Sequence, residues 1–75
     1  MKFLITYKTD SYFIIWPEAG DDLTQVNAFF ACRKWLVANF GKEGVKNGWI
    51  AEPMLGFRIY KLNQEKLLKF QLTWL

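Results

Sequence analysis

Histidine is absent from these 75 residues, and cysteine occurs once, at Cys32. The two absences remove a good deal of chemistry. A single thiol cannot form an internal disulfide, and one thiol without imidazole cannot build a zinc site of ordinary ligand type. Cys32 also has no histidine to activate it as a nucleophile. Apolar runs are short: none approaches the roughly 20 residues that cross a bilayer. At the N-terminus Thr6, Lys8, Thr9 and Asp10 interrupt the apolar stretch at once, so no secretory signal is read there. The expectation is a soluble protein of the cytoplasm with its thiol reduced.

What is abundant is aromatic surface. Four tryptophans, three tyrosines and seven phenylalanines lie in a chain that is 52% hydrophobic and 23% charged. That composition argues against disorder. A chain this short forms one domain, residues 1–75, whose core barely offsets its ordering entropy. With disulfides and metals excluded, the remaining supports are dense aromatic packing and association. The net charge of +3 is unevenly spread: residues 1–22 carry −2 and residues 23–75 carry +5. Such asymmetry can steer an acidic partner, although mild basicity is also ordinary for a solvated surface.

Residues 2–8 alternate, which places Phe3, Ile5 and Tyr7 on one face of a strand. Residues 12–16 are almost wholly apolar, and Thr9-Asp10-Ser11 between the two runs predicts a β-hairpin that Pro17 ends. Glu18-Ala19-Gly20-Asp21 reads as a loop. A helix is expected from about Asp22, with Gln25 completing a capping box, to Phe40, where Gly41 supplies a left-handed C-cap. Residues 42–48 read as a glycine-punctuated loop, 49–52 as a short extended piece and 54–62 as a strand. The last segment is ambiguous. Alternation from Leu68 favours a strand, whereas Asn63, Glu65 and the residues after Gln64 favour a short helix. The fold class expected is α+β: an N-terminal hairpin, a central amphipathic helix on a small antiparallel sheet, a third strand and a C-terminal helix. The alternative ending is a closing strand, ββαββ.

Projection of the central helix at 100° per residue gathers Leu23, Val26, Phe29, Phe30, Leu36, Val37 and Phe40 into an arc of roughly 140°, the face expected on the sheet. Arg33 falls inside that arc and is expected to snorkel to water or to find a buried partner. The opposite side carries Thr24, Ala28, Ala31, Trp35, Ala38 and Asn39, bordered by Lys34 and Asn27. It has small residues, one large aromatic and almost no charge. Small side chains let another backbone approach, and tryptophan is enriched at binding hot spots. The competing reading folds Trp35 over the domain's own C-terminal segment. The hairpin is apolar on both sides, with Leu4, Tyr12, Ile14 and Trp16 opposite Phe3, Ile5, Phe13 and Ile15. One helix covers one face, so the other expects a second layer, a second copy or a partner.

No catalytic, metal or cofactor constellation emerges, and the chain reads as a non-enzyme. Cys32 reads as a small packing residue. Asp21 and Asp22 are explained by capping, and the glycines at 41, 44 and 48 precede no phosphate-binding helix. Single-stranded nucleic acid is the alternative ligand, through Arg58 and Tyr60 with Lys42, Lys46, Lys61 and Lys69. Against it, Phe57 and Tyr60 point to opposite faces of one strand, and no RNA-recognition signature occurs.

The stretch Phe57-Arg58-Ile59-Tyr60, Asn63-Gln64-Glu65-Lys66 and Phe70-Gln71-Leu72-Thr73-Trp74 resembles a tail of small accessory proteins of tailed bacteriophages. There a strand precedes an acidic helix start and an F-K-L-x-W ending. Lys66, Leu67 and Gln71 depart from that pattern, and the match covers about a quarter of the chain. The resemblance implies a phage-encoded protein of the bacterial cytoplasm that occupies a host protein. The expected function is therefore non-catalytic protein binding that inhibits or redirects a host complex. Its expected contacts are Trp35, Ala28, Ala31, Ala38 and Lys34 on the helix and Trp16 and Tyr12 on the hairpin. Lys42 and Lys46 would steer an acidic partner. A self-associating structural protein is the third class, and a homodimer is compatible with the first.

Overall fold

The computed structural model describes residues 3–18 and 20–75. Met1, Lys2 of the alternating segment and Ala19 of the loop lie outside the described residues. Four strands, β1 (Phe3–Lys8), β2 (Tyr12–Pro17), β3 (Trp49–Ala51) and β4 (Phe57–Tyr60), form one antiparallel sheet in the order β1-β2-β4-β3. Two helices, α1 (Asp22–Phe40) and α2 (Gln64–Trp74), complete an α+β domain, with a short 3-10 turn at Val45–Asn47 before β3. The ambiguous C-terminus is helical. Asn63 caps it by accepting from the Lys66 amide at 3.0 Å, and Leu67 and Phe70 are its buried residues.

The hairpin turn is built on one hydroxyl. Thr9 Oγ1 accepts from the amides of Ser11 and Tyr12, while the Thr9 amide donates to the Tyr12 carbonyl at 2.8 Å. Serine and threonine favour turns because their oxygen can replace a backbone partner in this way. A bulge between Ile5 and Tyr7 shifts the β1 register, so that Tyr7 lies opposite Ile14 and Lys8 opposite Phe13. The strict alternation placed Tyr7 with Phe3 and Ile5. The bulge moves it to the other face, because one extra residue inverts every following side chain.

Asp21, not Asp22, caps α1: its carboxylate accepts from the Thr24 amide at 2.7 Å. That bond holds the Asp21 carboxyl below its ordinary value of 3.8. At the other end Gly41 takes φ 103°, as a terminating glycine should, but with ψ −170° it lies outside the left-handed helical region. Its amide reaches back to the Leu36 and Val37 carbonyls, both at 3.2 Å.

The face that α1 buries differs from the expected one. Ala28, Cys32, Leu36 and Phe40 are buried, with Phe29 and Trp35 packed beside them. Leu23, Phe30 and Val37 are exposed at 69%, 59% and 45%, and Arg33 is exposed with them. The helix is rotated by about 100°, one residue, from the arc of largest side chains. The sheet below it supplies the bulk: Phe13, Ile15, Trp49, Phe57 and Ile59 are all buried on that side. Small residues at 28 and 32 let the helix lie close to these large groups, as close packing requires. Phe29 stacks on Phe57 at 4.7 Å and 8°. Trp35 turns to α2, meeting Phe70 at 5.9 Å and Trp74 at 6.3 Å. Trp49 is fully buried, and its indole N–H donates to the Gly41 carbonyl at 2.9 Å, tying β3 to the end of α1.

Candidate functional site: the uncovered face of the sheet

Both helices lie on one side of the sheet. The other side has no layer over it among the described residues. It is assembled from alternate residues of all four strands: Leu4 and Tyr7 from β1, Tyr12, Ile14 and Trp16 from β2, Arg58 and Tyr60 from β4, and Ile50 from β3. Leu4 and Tyr7 are exposed and the rest are half-buried. Alternation in half-covered antiparallel sheets normally gives a polar outer face. Here the outer face is aromatic and aliphatic.

The register explains how the residues meet. Tyr12 lies opposite Tyr60 and Ile14 opposite Arg58. The rings of Tyr7 and Tyr12 are 6.3 Å apart, and those of Tyr12 and Tyr60 are 5.5 Å apart. The Arg58 guanidinium lies 4.5 Å from the centre of the Tyr12 ring, a cation–π contact. Arg58 Nε also donates to Glu52 Oε1 at 2.6 Å, a diagonal pair across the β3–β4 connection. The Tyr60 side chain, then Glu52 and Tyr12, hold the Arg58 pKa above its already high ordinary value. The cation at the centre of this face is thus neutralised and fixed in place. Trp16 lies across Gly56, where an added Cβ would come within 3.1 Å of its ring and 3.0 Å of the Ile15 carbonyl. Glycine at 56 is what lets the indole come this close to the strand.

Trp16, Tyr12, Arg58 and Tyr60, which belonged to separate sets in the sequence, are brought together on this one face. The set on α1 is divided. Ala28 is in the core and Trp35 is half-buried among aromatics, while Ala31, Ala38 and Lys34 are exposed on the far side of the helix. The inward turn of Trp35 follows the reading in which it closes over the C-terminal segment. Lys42 and Lys46 lie beyond the end of α1. Lys42 borders an open cleft with Arg33, Val37 and Ile50, and Lys46 borders another of about 260 Å³ with Lys66, Asn63 and Tyr60. Three residues at the uncovered face were missed, one of them Ile50, whose three-residue strand is too short to show alternation. Tyr7 is hidden from sequence by the bulge, and Glu52 by the length of the β3–β4 turn. An acidic residue six positions before an arginine carries no signal until the register is known.

Cys32 is fully buried, and burial pushes its thiol up to about 12. A thiol so protonated has no nucleophilic form near neutrality. Among the described residues no group of histidine, cysteine and carboxylate side chains could hold a metal ion. No helix of the described residues is long and apolar enough to cross a membrane. No family model, curated protein or solved structure matches this chain.

Proposed function

We propose that this chain is a non-catalytic protein-binding domain whose contact surface is the uncovered face of the sheet. The observation that carries the reading is the composition of that face. Trp16, Tyr7, Tyr12, Tyr60 and Arg58 are the residue types that dominate binding hot spots, set among Leu4, Ile14 and Ile50. The Arg58–Glu52 pair is formed before any partner arrives, so little ordering is required at the centre of the contact. Following the resemblance at residues 57–74, the partner is a bacterial host protein, which the bound domain occupies and thereby inhibits or redirects.

Single-stranded nucleic acid is the second reading, and the row of three tyrosines favours it. Tyr7, Tyr12 and Tyr60 could stack bases, and the row ends beside Lys46. The protein reading is preferred because, among the described residues, Glu52 neutralises the one cation held on the face itself. Phosphate tracking needs uncompensated charge.

The test is capture from bacterial lysate by tagged wild type and by Tyr12→Ala and Arg58→Ala variants, with and without nuclease. A protein retained in stoichiometric amount through nuclease treatment, and lost with either variant, supports the protein reading. Recovery of nucleic acid with a steep salt dependence moves the assignment to the second. Capture unchanged in both variants rejects the face altogether.

A further inference from the structure

The outer side of α1 carries a second unpartnered surface, separate from the uncovered sheet face. Leu23, Phe30 and Val37 recur at intervals of seven and are exposed at 69%, 59% and 45%. Seven residues are close to two helical turns, so the three side chains form a stripe along about 20 Å of the helix. The charges of α1 are segregated along the same axis. Asp22 is in its first turn, Arg33 and Lys34 are in its second half, and no other residue of the helix is charged. Glu18 and Asp21 precede the helix and Lys42 follows it. Glu43 is the exception at the basic end, and its carboxylate accepts from the Ala51 amide at 3.0 Å.

We infer that this stripe is the interface between two copies of the chain, packed as antiparallel α1 helices about a two-fold axis near Phe30. An antiparallel arrangement sets the acidic end of each helix against the basic end of the other and opposes the two helix dipoles. A parallel arrangement sets like against like. Asp22 and Arg33 flank the stripe on the same side, at about 0° and 20° against about 60–100° for the apolar residues. A two-fold axis perpendicular to the helices preserves that side, so Asp22 of one copy approaches Arg33 of the other.

The ends are also complementary in shape. Leu23, the most exposed residue of the stripe, projects at one end. At the other a shallow cleft of about 680 Å³ opens beside Val37, lined by Arg33, Lys42, Glu43, Gly44 and Ile50. The two-fold that places Phe30 against Phe30 brings Leu23 of each copy to Val37 and this cleft. Isologous two-fold contacts of this kind are the commonest in soluble oligomers.

A single helix face about 28 Å long offers less than the roughly 800 Å² per partner of a standard interface, so the dimer is weak and reversible. The two surfaces meet at Ile50, which borders the cleft from the edge strand, and dimerisation through α1 leaves the rest of the uncovered face free in each copy.

Sedimentation equilibrium from about 5 to 500 µM tests the inference. Wild type should move from monomer to dimer and stop there. Phe30→Glu should be monomeric throughout with an unchanged circular dichroism spectrum, since Phe30 is exposed. Asp22→Lys and Arg33→Glu should each weaken the dimer roughly three- to tenfold, because each affects two symmetry-related pairs. The double variant should recover most of that loss. A monomer at every concentration overturns the proposal. So does a dimer that survives Phe30→Glu, or one dissolved by Ile14→Lys on the sheet but not by Phe30→Glu. Charge variants that fail to compensate each other overturn the antiparallel arrangement.

Discussion

Ile14 and Ile15 are adjacent in β2 and chemically identical, yet they live in different environments. Ile15 is fully buried under the helical layer, while Ile14 is half-buried beside Arg58 on the uncovered side. The same division runs through the whole sheet. On the helix side, aromatics pack against small residues of α1 and against Phe70 of α2. On the other side, tyrosines and a tryptophan pack only laterally, with an arginine between them. A sheet apolar on both faces yet layered on one has more apolar surface than folding requires. The covered face accounts for stability, and the other is the surface proposed for contact.

The largest effect should come from the covered face. Phe57→Ala removes a fully buried ring stacked on Phe29 and should cost about 3–5 kcal/mol in urea unfolding, enough to unfold much of the population in a domain this small. Ile15→Ala should cost about 2–4 kcal/mol and Ile14→Ala under about 1 kcal/mol. Equal losses at the two isoleucines would erase the distinction between the faces.

Trp35→Ala comes next. Its ring lies between α1 and α2 and is half-buried, so a loss of about 2 kcal/mol is expected, measured as a drop in Tm. A variant that keeps wild-type stability and loses partner binding would restore Trp35 as a contact residue.

The effect of Cys32 is confined to alkaline pH and absent at neutrality. Burial pushes the folded thiol up to about 12, above its ordinary value of 9.0. The neutral thiol's contribution is therefore complete below about pH 9 and declines as pH rises towards 12, by up to about 1.4 kcal/mol per pH unit. Comparison of the pH slopes of wild type and Cys32→Ala isolates it from the other groups that titrate there. A thiol reagent at pH 8 should label Cys32 only in denaturant.

The smallest stability effect belongs to Arg58→Ala, which should leave Tm nearly unchanged while abolishing partner capture. The Arg58–Glu52 pair is at the surface, and such pairs contribute little to folding.

Much of the scaffold was legible because local signals agreed. Thr9-Asp10-Ser11 between two apolar runs marks the hairpin and Gly41 marks the end of α1, while at the C-terminus Asn63 and Glu65 favoured the helix that forms and the alternation from Leu68 favoured a strand. The orientation of α1 was not legible. Apolar residues surround nearly all of that helix, so periodicity alone could not separate the stripe of Leu23, Phe30 and Val37 from the face of Ala28, Cys32 and Leu36. What decides is the bulk of Phe57, Trp49 and Phe13 beneath it, which the helix sequence does not contain. The uncovered face was half legible. Tyr12, Ile14 and Trp16 follow from alternation in β2, but their meeting with Arg58, Tyr60 and Glu52 depends on the pairing of β2 with β4. Pairings between distant segments, and a bulge such as the one that turns Tyr7 outward, have no local signature.

The most direct test is Ile14→Lys, with stability and partner capture measured on the same preparation. A charge at the centre of the uncovered face should lower the unfolding free energy by no more than about 1 kcal/mol, since the lysine stem can lie along the sheet and its ammonium can turn to water away from Arg58 opposite, and it should abolish capture. A variant that unfolds would show that this face is buried in the domain. One that folds and still captures its partner would show that binding happens elsewhere.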